Sequence, residues 1–66
     1  MLKTTTRYAV KKNGKYLMTY QNKTAKWSNV VDEAWLSSNE ESTKFFANLT
    51  NGNVIELVII ERTLKY

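Results

Sequence analysis

The chain has no cysteine, no histidine and no proline, and only two glycines among its 66 residues. Each absence removes a class of explanation. Without cysteine no disulfide can staple a small domain, and without Cys or His the usual zinc ligands are missing. The commonest general base and the commonest thiol nucleophile go with them. Two isolated glycines cannot build a phosphate-cradling loop, which needs several close together. The longest unbroken apolar run is Leu57-Val58-Ile59-Ile60, far short of the roughly 18 residues of a membrane span. The polar stretch Met1 to Thr6, with no apolar segment after it, predicts no secretory signal, and together with the missing cysteines it predicts a cytoplasmic location. No cofactor, metal or membrane partner is expected.

One sign of charge is also missing from nearly half of the chain. Met1 to Trp27 contains no acid and seven bases, Lys3, Arg7, Lys11, Lys12, Lys15, Lys23 and Lys26, for a charge of +7. Ser28 to Tyr66 carries all six acids against three bases, so the whole chain stands at +4. Such polarity draws acidic partners to one part of the molecule, although the same lysines also serve solubility. The close carboxylate pairs are Asp32-Glu33 and Glu40-Glu41. Neighbours on a helix diverge by about 100°, and acids of this kind suit helix N-termini, so both pairs read as structural. The chain is therefore expected not to be an enzyme.

With staples excluded, a single domain spanning residues 1–66 must be held by packing its 42% hydrophobic residues, among them two Trp, four Tyr and two Phe. A core of this size rarely supplies more than roughly 3–5 kcal/mol of net stability. The strongest local signal is Asn13-Gly14 between a Thr-, Tyr- and Val-rich run, Thr4 to Lys12, and an aromatic-rich one, Lys15 to Tyr20, which predicts a type I′ β-hairpin. A two-residue turn sets Lys12 against Lys15, Lys11 against Tyr16, Val10 against Leu17, Ala9 against Met18, Tyr8 against Thr19 and Arg7 against Tyr20. Tyr8, Val10 and Leu17 are assigned to the core face. Arg7, Ala9, Lys11, Tyr16, Met18 and Tyr20 are assigned to a partly exposed one.

Gln21 to Ala25 reads as a loop and Lys26 to Val31 as a short third strand around Trp27. Asp32 to Leu36 reads as one helical turn or a bend. Ser38-Asn39-Glu40-Glu41 matches the Ser-x-x-Glu capping box and predicts a helix to about Leu49, burying Phe45, Phe46 and Leu49. Asn51-Gly52 stops it. Asn53 to Thr63 is a β-branched strand with apolar residues on both faces, which predicts the centre of the sheet or a partner over it. The expected fold is α+β: a small antiparallel sheet packed on one helix, in the order β-β-(β)-α-β.

Binding is the remaining class of function. Arg7, Lys11, Lys12, Lys15, Lys23 and Lys26 surround Tyr16 and Tyr20, and this candidate surface admits two partners. Bases could stack on the tyrosines while lysines meet phosphates, or an acidic protein could be steered onto the same surface. Trp35 is either core or an interface anchor, and the last strand could pair across a homodimer axis.

Tyr8-Ala9-Val10, Asn13-Gly14-Lys15-Tyr16-Leu17, a lone Trp27, Ala34-x-Leu36, the Ser-x-x-Glu helix start and the terminal Ile/Val strand resemble the small accessory proteins of Gram-positive bacteriophages and prophages. The resemblance covers most of the chain and consists of hairpin and helix signals, so it transfers no site residue. It implies a cytoplasmic product of a mobile element that modulates or inhibits a host protein by occupying its surface.

Overall fold

Asn13 and Gly14 both adopt positive φ, 51° and 78°, and reverse the chain between strand β1 (Leu2–Lys12) and strand β2 (Lys15–Gln21). The computed structural model describes residues 2–64. A second two-residue turn follows at Asn22-Lys23, again with positive φ at both positions (51° and 60°), and leads into β3 (Thr24–Ser28). The third strand therefore starts and ends earlier than Lys26 to Val31, and most of the expected loop is strand. A single 3-10 turn, Val31–Glu33, precedes helix α1 (Glu40–Thr50), and β4 (Asn53–Arg62) closes the sheet. The result is a four-stranded antiparallel sheet of order β3-β2-β1-β4 with one helix packed on it, the α+β class and β-β-β-α-β succession expected from the sequence.

The hairpin itself is shorter than its turn implies. Its ladder comprises Lys12 opposite Lys15 and Lys11 opposite Tyr16; the four further pairs expected, from Val10–Leu17 to Arg7–Tyr20, do not form. The reason is a wedge. Trp35 N–H donates to the Leu17 carbonyl (2.8 Å), and Ser37 exchanges two backbone bonds with Tyr8 (2.7 and 2.9 Å). The segment after the 3-10 turn thus occupies the gap between β1 and β2 and satisfies strand groups that would otherwise be orphaned. A bulge between Leu17 and Thr19 in the β2–β3 ladder shifts the register there, so Leu17 faces Trp27 while Tyr20 faces Ala25. Beyond a bulge the alternation of faces changes parity, which carries Tyr20 to the helix side.

Between helix and sheet, Val10 and Leu17 of the strands meet Ala47 of the helix, with Ala25, Trp27, Phe46 and Val54 packed around them. The helix buries Thr43, Ala47 and Thr50, an i, i+4, i+7 stripe of small residues that lets it approach the sheet closely. Phe46 is half-buried, but Phe45 and Leu49 stay 60% and 45% exposed, against expectation. Two of the buried stripe residues are threonines, and each returns its hydroxyl to a backbone carbonyl one turn earlier: Thr43 to Asn39 (2.9 Å) and Thr50 to Phe46 (2.8 Å). Their burial then leaves no polar atom unpaired.

Capping also differs by one residue. Asn39, not Ser38, is the N-cap, its side-chain oxygen accepting from Ser42 N–H at 3.1 Å. At the other end Asn51 takes the left-handed conformation (φ 58°) and Gly52 N–H reaches back to the Ala47 carbonyl (2.9 Å), the Schellman arrangement. Gly52 has its own reason to be glycine. A Cβ there would stand 2.7 Å from Val10 Cγ1 and 3.3 Å from the Lys11 carbonyl.

β4 is an edge strand, not the centre of the sheet; β1 lies between it and β2. The β1–β4 ladder runs unbroken from Leu2 opposite Arg62 to Lys11 opposite Asn53. Its distal half outreaches both the helix and β2, so the molecule measures 47 × 22 × 19 Å with a radius of gyration of 13.5 Å. A globule of this length would have a radius of roughly 11 Å.

Candidate functional site

Since Val10 is core, strand alternation turns Lys3, Thr5, Arg7, Ala9 and Lys11 to the face away from the helix, and the ladder sets Glu61, Ile59, Leu57, Ile55 and Asn53 beside them. On the neighbouring strands Tyr16, opposite Lys11, and Lys26, between the core-packed Ala25 and Trp27, share this open face. Four of the eight residues expected to form a binding surface are thereby brought together: Arg7, Lys11, Tyr16 and Lys26. Ala9 is completely buried although no helix covers it, so the long side chains around it form a thin second layer, as basic stems on sheets do. The Lys11 ammonium sits 4.9 Å from the Tyr16 ring centroid, in cation–π range. The Arg7 guanidinium donates to the Thr6 carbonyl at 2.9 Å. In the ladder, the acid on this face is Glu61, opposite Lys3.

The other four residues go elsewhere. Lys12 points to the helix side and donates to the Thr50 carbonyl at 2.9 Å, meeting the negative end of the helix dipole. Its role is structural. Lys15 is exposed on that same side, where Lys12, Asn13, Lys15 and Trp27 line a shallow depression. Lys23 occupies the second of the two left-handed positions of the β2–β3 turn. Tyr20, moved by the bulge, packs on Phe46 with ring centroids 6.1 Å apart.

Sequence reasoning did not anticipate an apolar cleft of about 220 Å³ between the splayed β2 and the helix, lined by Leu17, Met18, Tyr20, Trp35 and Phe46 among others. Trp35 is half-buried there and meets Phe46 edge-on (5.1 Å, 68°), so it is both a packing residue and a cleft wall. Three aromatics far apart in the chain converge on this spot, and no local pattern announces that. The wedge that opens the cleft is itself a non-local contact.

Three of the four paired acids, Glu33, Glu40 and Glu41, have partners within the fold. Lys44 bridges Glu40 (3.2 Å) and Glu41 (3.3 Å) across one helical turn. Hydrogen bonds to Glu40 and then Glu41 hold the Lys44 ammonium pKa above its ordinary value. Glu33 accepts a short hydrogen bond from the Ser28 hydroxyl. Among the described residues no group of three or more acids is placed to hold a metal ion, and no helix is long and apolar enough to cross a membrane. Comparison with family models, curated proteins and solved structures found no match.

Proposed function

We propose that this protein is a non-catalytic binding module whose open sheet face engages an acidic surface of a protein partner. The observation that carries this reading is the gathering of Lys3, Arg7, Lys11 and Lys26 on one face without a covering helix, with Glu61 as the acid in that ladder. A basic face of this kind steers an acidic partner and fixes its register. The mobile-element resemblance points to a host protein in the cytoplasm as that partner. Direct single-strand nucleic-acid binding would need free aromatic faces for bases to stack on. Tyr16 instead carries the Lys11 ammonium and Tyr20 is packed on Phe46, which favours the protein partner.

The test uses two charge-inverted variants, Arg7→Glu/Lys11→Glu/Lys26→Glu on the open face and Lys15→Glu/Lys23→Glu away from it. A host protein captured by the native chain should be kept by the second variant and lost by the first. Equal retention by both variants would refute the reading. Tight binding of single-stranded oligonucleotides near 50 mM salt, lost in the open-face variant, would transfer the face to a nucleic-acid partner, since binding through four phosphate contacts weakens on the order of fiftyfold between 50 and 200 mM salt.

A further inference from the structure

The distal β1–β4 ribbon is a sheet fragment that lacks neighbours. On the β1 side the last backbone partner is Ser37 at Tyr8. Beyond it, among the described residues, Leu2 to Arg7 and Leu57 to Arg62 form two strands alone, with Leu2 65%, Val58 56%, Ile59 45% and Ile60 64% exposed. A two-stranded ribbon is marginal in water, and a long flat apolar edge invites another strand.

The backbone tells which groups β4 offers. Tyr8 spends its N–H and C=O on Ser37, so the even-numbered residues of β1 point away from β4 and the odd ones point toward it. Their partners Asn53, Ile55, Leu57, Ile59 and Glu61 therefore face inward. Glu56, Val58, Ile60 and Arg62 direct their N–H and C=O groups to the free edge.

This edge is self-complementary. We infer that two copies of the chain pair antiparallel through β4 about a two-fold axis at Ile59. In that register Val58 faces Ile60 of the second copy, and Glu56 faces its Arg62, each twice by symmetry. The alternatives fail on charge. An axis at Val58 sets Glu56 against Ile60 and Arg62 against Val54; an axis at Ile60 sets Arg62 against Val58. Within the chain's own ladder Glu56 faces Tyr8 and Arg62 faces Leu2, so both charges are free of a cross-strand partner of opposite sign. An isologous interface of this kind closes on itself and needs no third copy. It joins two four-stranded sheets into one of eight strands, with both helices on the same side.

Charge inversion tests the register. Glu56→Arg and Arg62→Glu each place like charges opposite one another twice, and each should raise the dimer dissociation constant on the order of ten- to thirtyfold. Mixed in equal amounts, the two variants present arginine against glutamate at both positions and should form a heterodimer as tight as the native homodimer. Circular dichroism of each variant establishes that it is folded, and light scattering reads the mass. Ile59→Cys, in a chain without cysteine, sets two thiols at the axis and should cross-link on mild oxidation, whereas Glu61→Cys should not. A native chain that stays monomeric at high concentration overturns the interface. A dimer indifferent to both inversions, a folded mixture that remains monomeric, or equal cross-linking at both positions overturns the register.

Discussion

Gly52→Ala isolates a single steric contact. The new Cβ would stand 2.7 Å from Val10 Cγ1, well inside the 3.4–4 Å of ordinary van der Waals contact, with the Lys11 carbonyl and Thr50 Oγ1 each at 3.3 Å. Val10 is completely buried, so it can retreat only by disturbing Leu17 and Ala47. Forcing an extra methyl into such a site costs about 1–3 kcal/mol. The lost freedom of the unfolded chain returns about 0.4–1 kcal/mol, so central values of about 2 and about 0.7 leave a net loss of about 1.3 kcal/mol. In a domain this small each kcal/mol moves the melting midpoint by roughly 4–8 °C. Urea titration followed by tryptophan fluorescence measures the loss directly. The contact is then identified by a double-mutant cycle: Val10→Ala removes the atom that is struck, so Gly52→Ala should cost about 1 kcal/mol less in that background. Gly14→Ala is the contrast. Nothing lies within 4 Å of a Cβ there, but φ is +78°, so its cost of about 1 kcal/mol is a backbone strain that Val10→Ala leaves untouched. A neutral or stabilising Gly52→Ala, or an additive cycle with Val10, would refute the close helix–sheet approach.

Three further outcomes follow from the described contacts. Asn39→Ala should lose about 1 kcal/mol with its bond to Ser42 N–H, while Ser38→Ala stays within about 0.5 kcal/mol in the same chemical denaturation, the reverse of what a Ser38 capping box requires. Lys12→Met keeps the aliphatic stem but drops the bond to the Thr50 carbonyl, and should cost about 1 kcal/mol or more; Lys15→Met, on an exposed side chain, should leave the melting midpoint nearly unchanged. Lys23→Gly should stabilise by about 0.5–1 kcal/mol, because a non-glycine residue at φ 60° is relieved of its strain; an unchanged or lower midpoint would speak against the tight β2–β3 turn.

Features written in short stretches of sequence were legible. Asn13-Gly14 identified the first turn, β-branched residues marked the last strand, and Asn51-Gly52 ended the helix. What was not legible depended on distant segments. The Trp35–Ser37 wedge comes from 14 to 16 residues beyond the end of the hairpin it opens, at Gln21, and the bulge it accompanies reverses the facing of Tyr20. The helix stripe was misread because two of its three buried positions, Thr43 and Thr50, carry hydroxyls that become apolar in effect only once bonded to their own backbone. β4 has apolar residues on both faces like a central strand, yet it lies at the edge. The candidate surface was half legible for the same reason: Lys11 and Tyr16 follow from the turn, but Lys12 is claimed by a carbonyl 38 residues away.

The wedge also bears on how the chain reaches this state. Asn13-Gly14 can close its turn within microseconds, but in the native ladder that turn secures two residue pairs. The groups at Tyr8 and Leu17 stay unpaired until residues 35–37 return, and the long β1–β4 ladder joins positions some 40 to 60 residues apart. Closing such loops is an entropic cost met before any contact offsets it, so topology and not turn strength should set the folding rate. Substitutions at Asn13 or Gly14 should then chiefly quicken unfolding, whereas those at Ala9 or Ile55 should slow refolding.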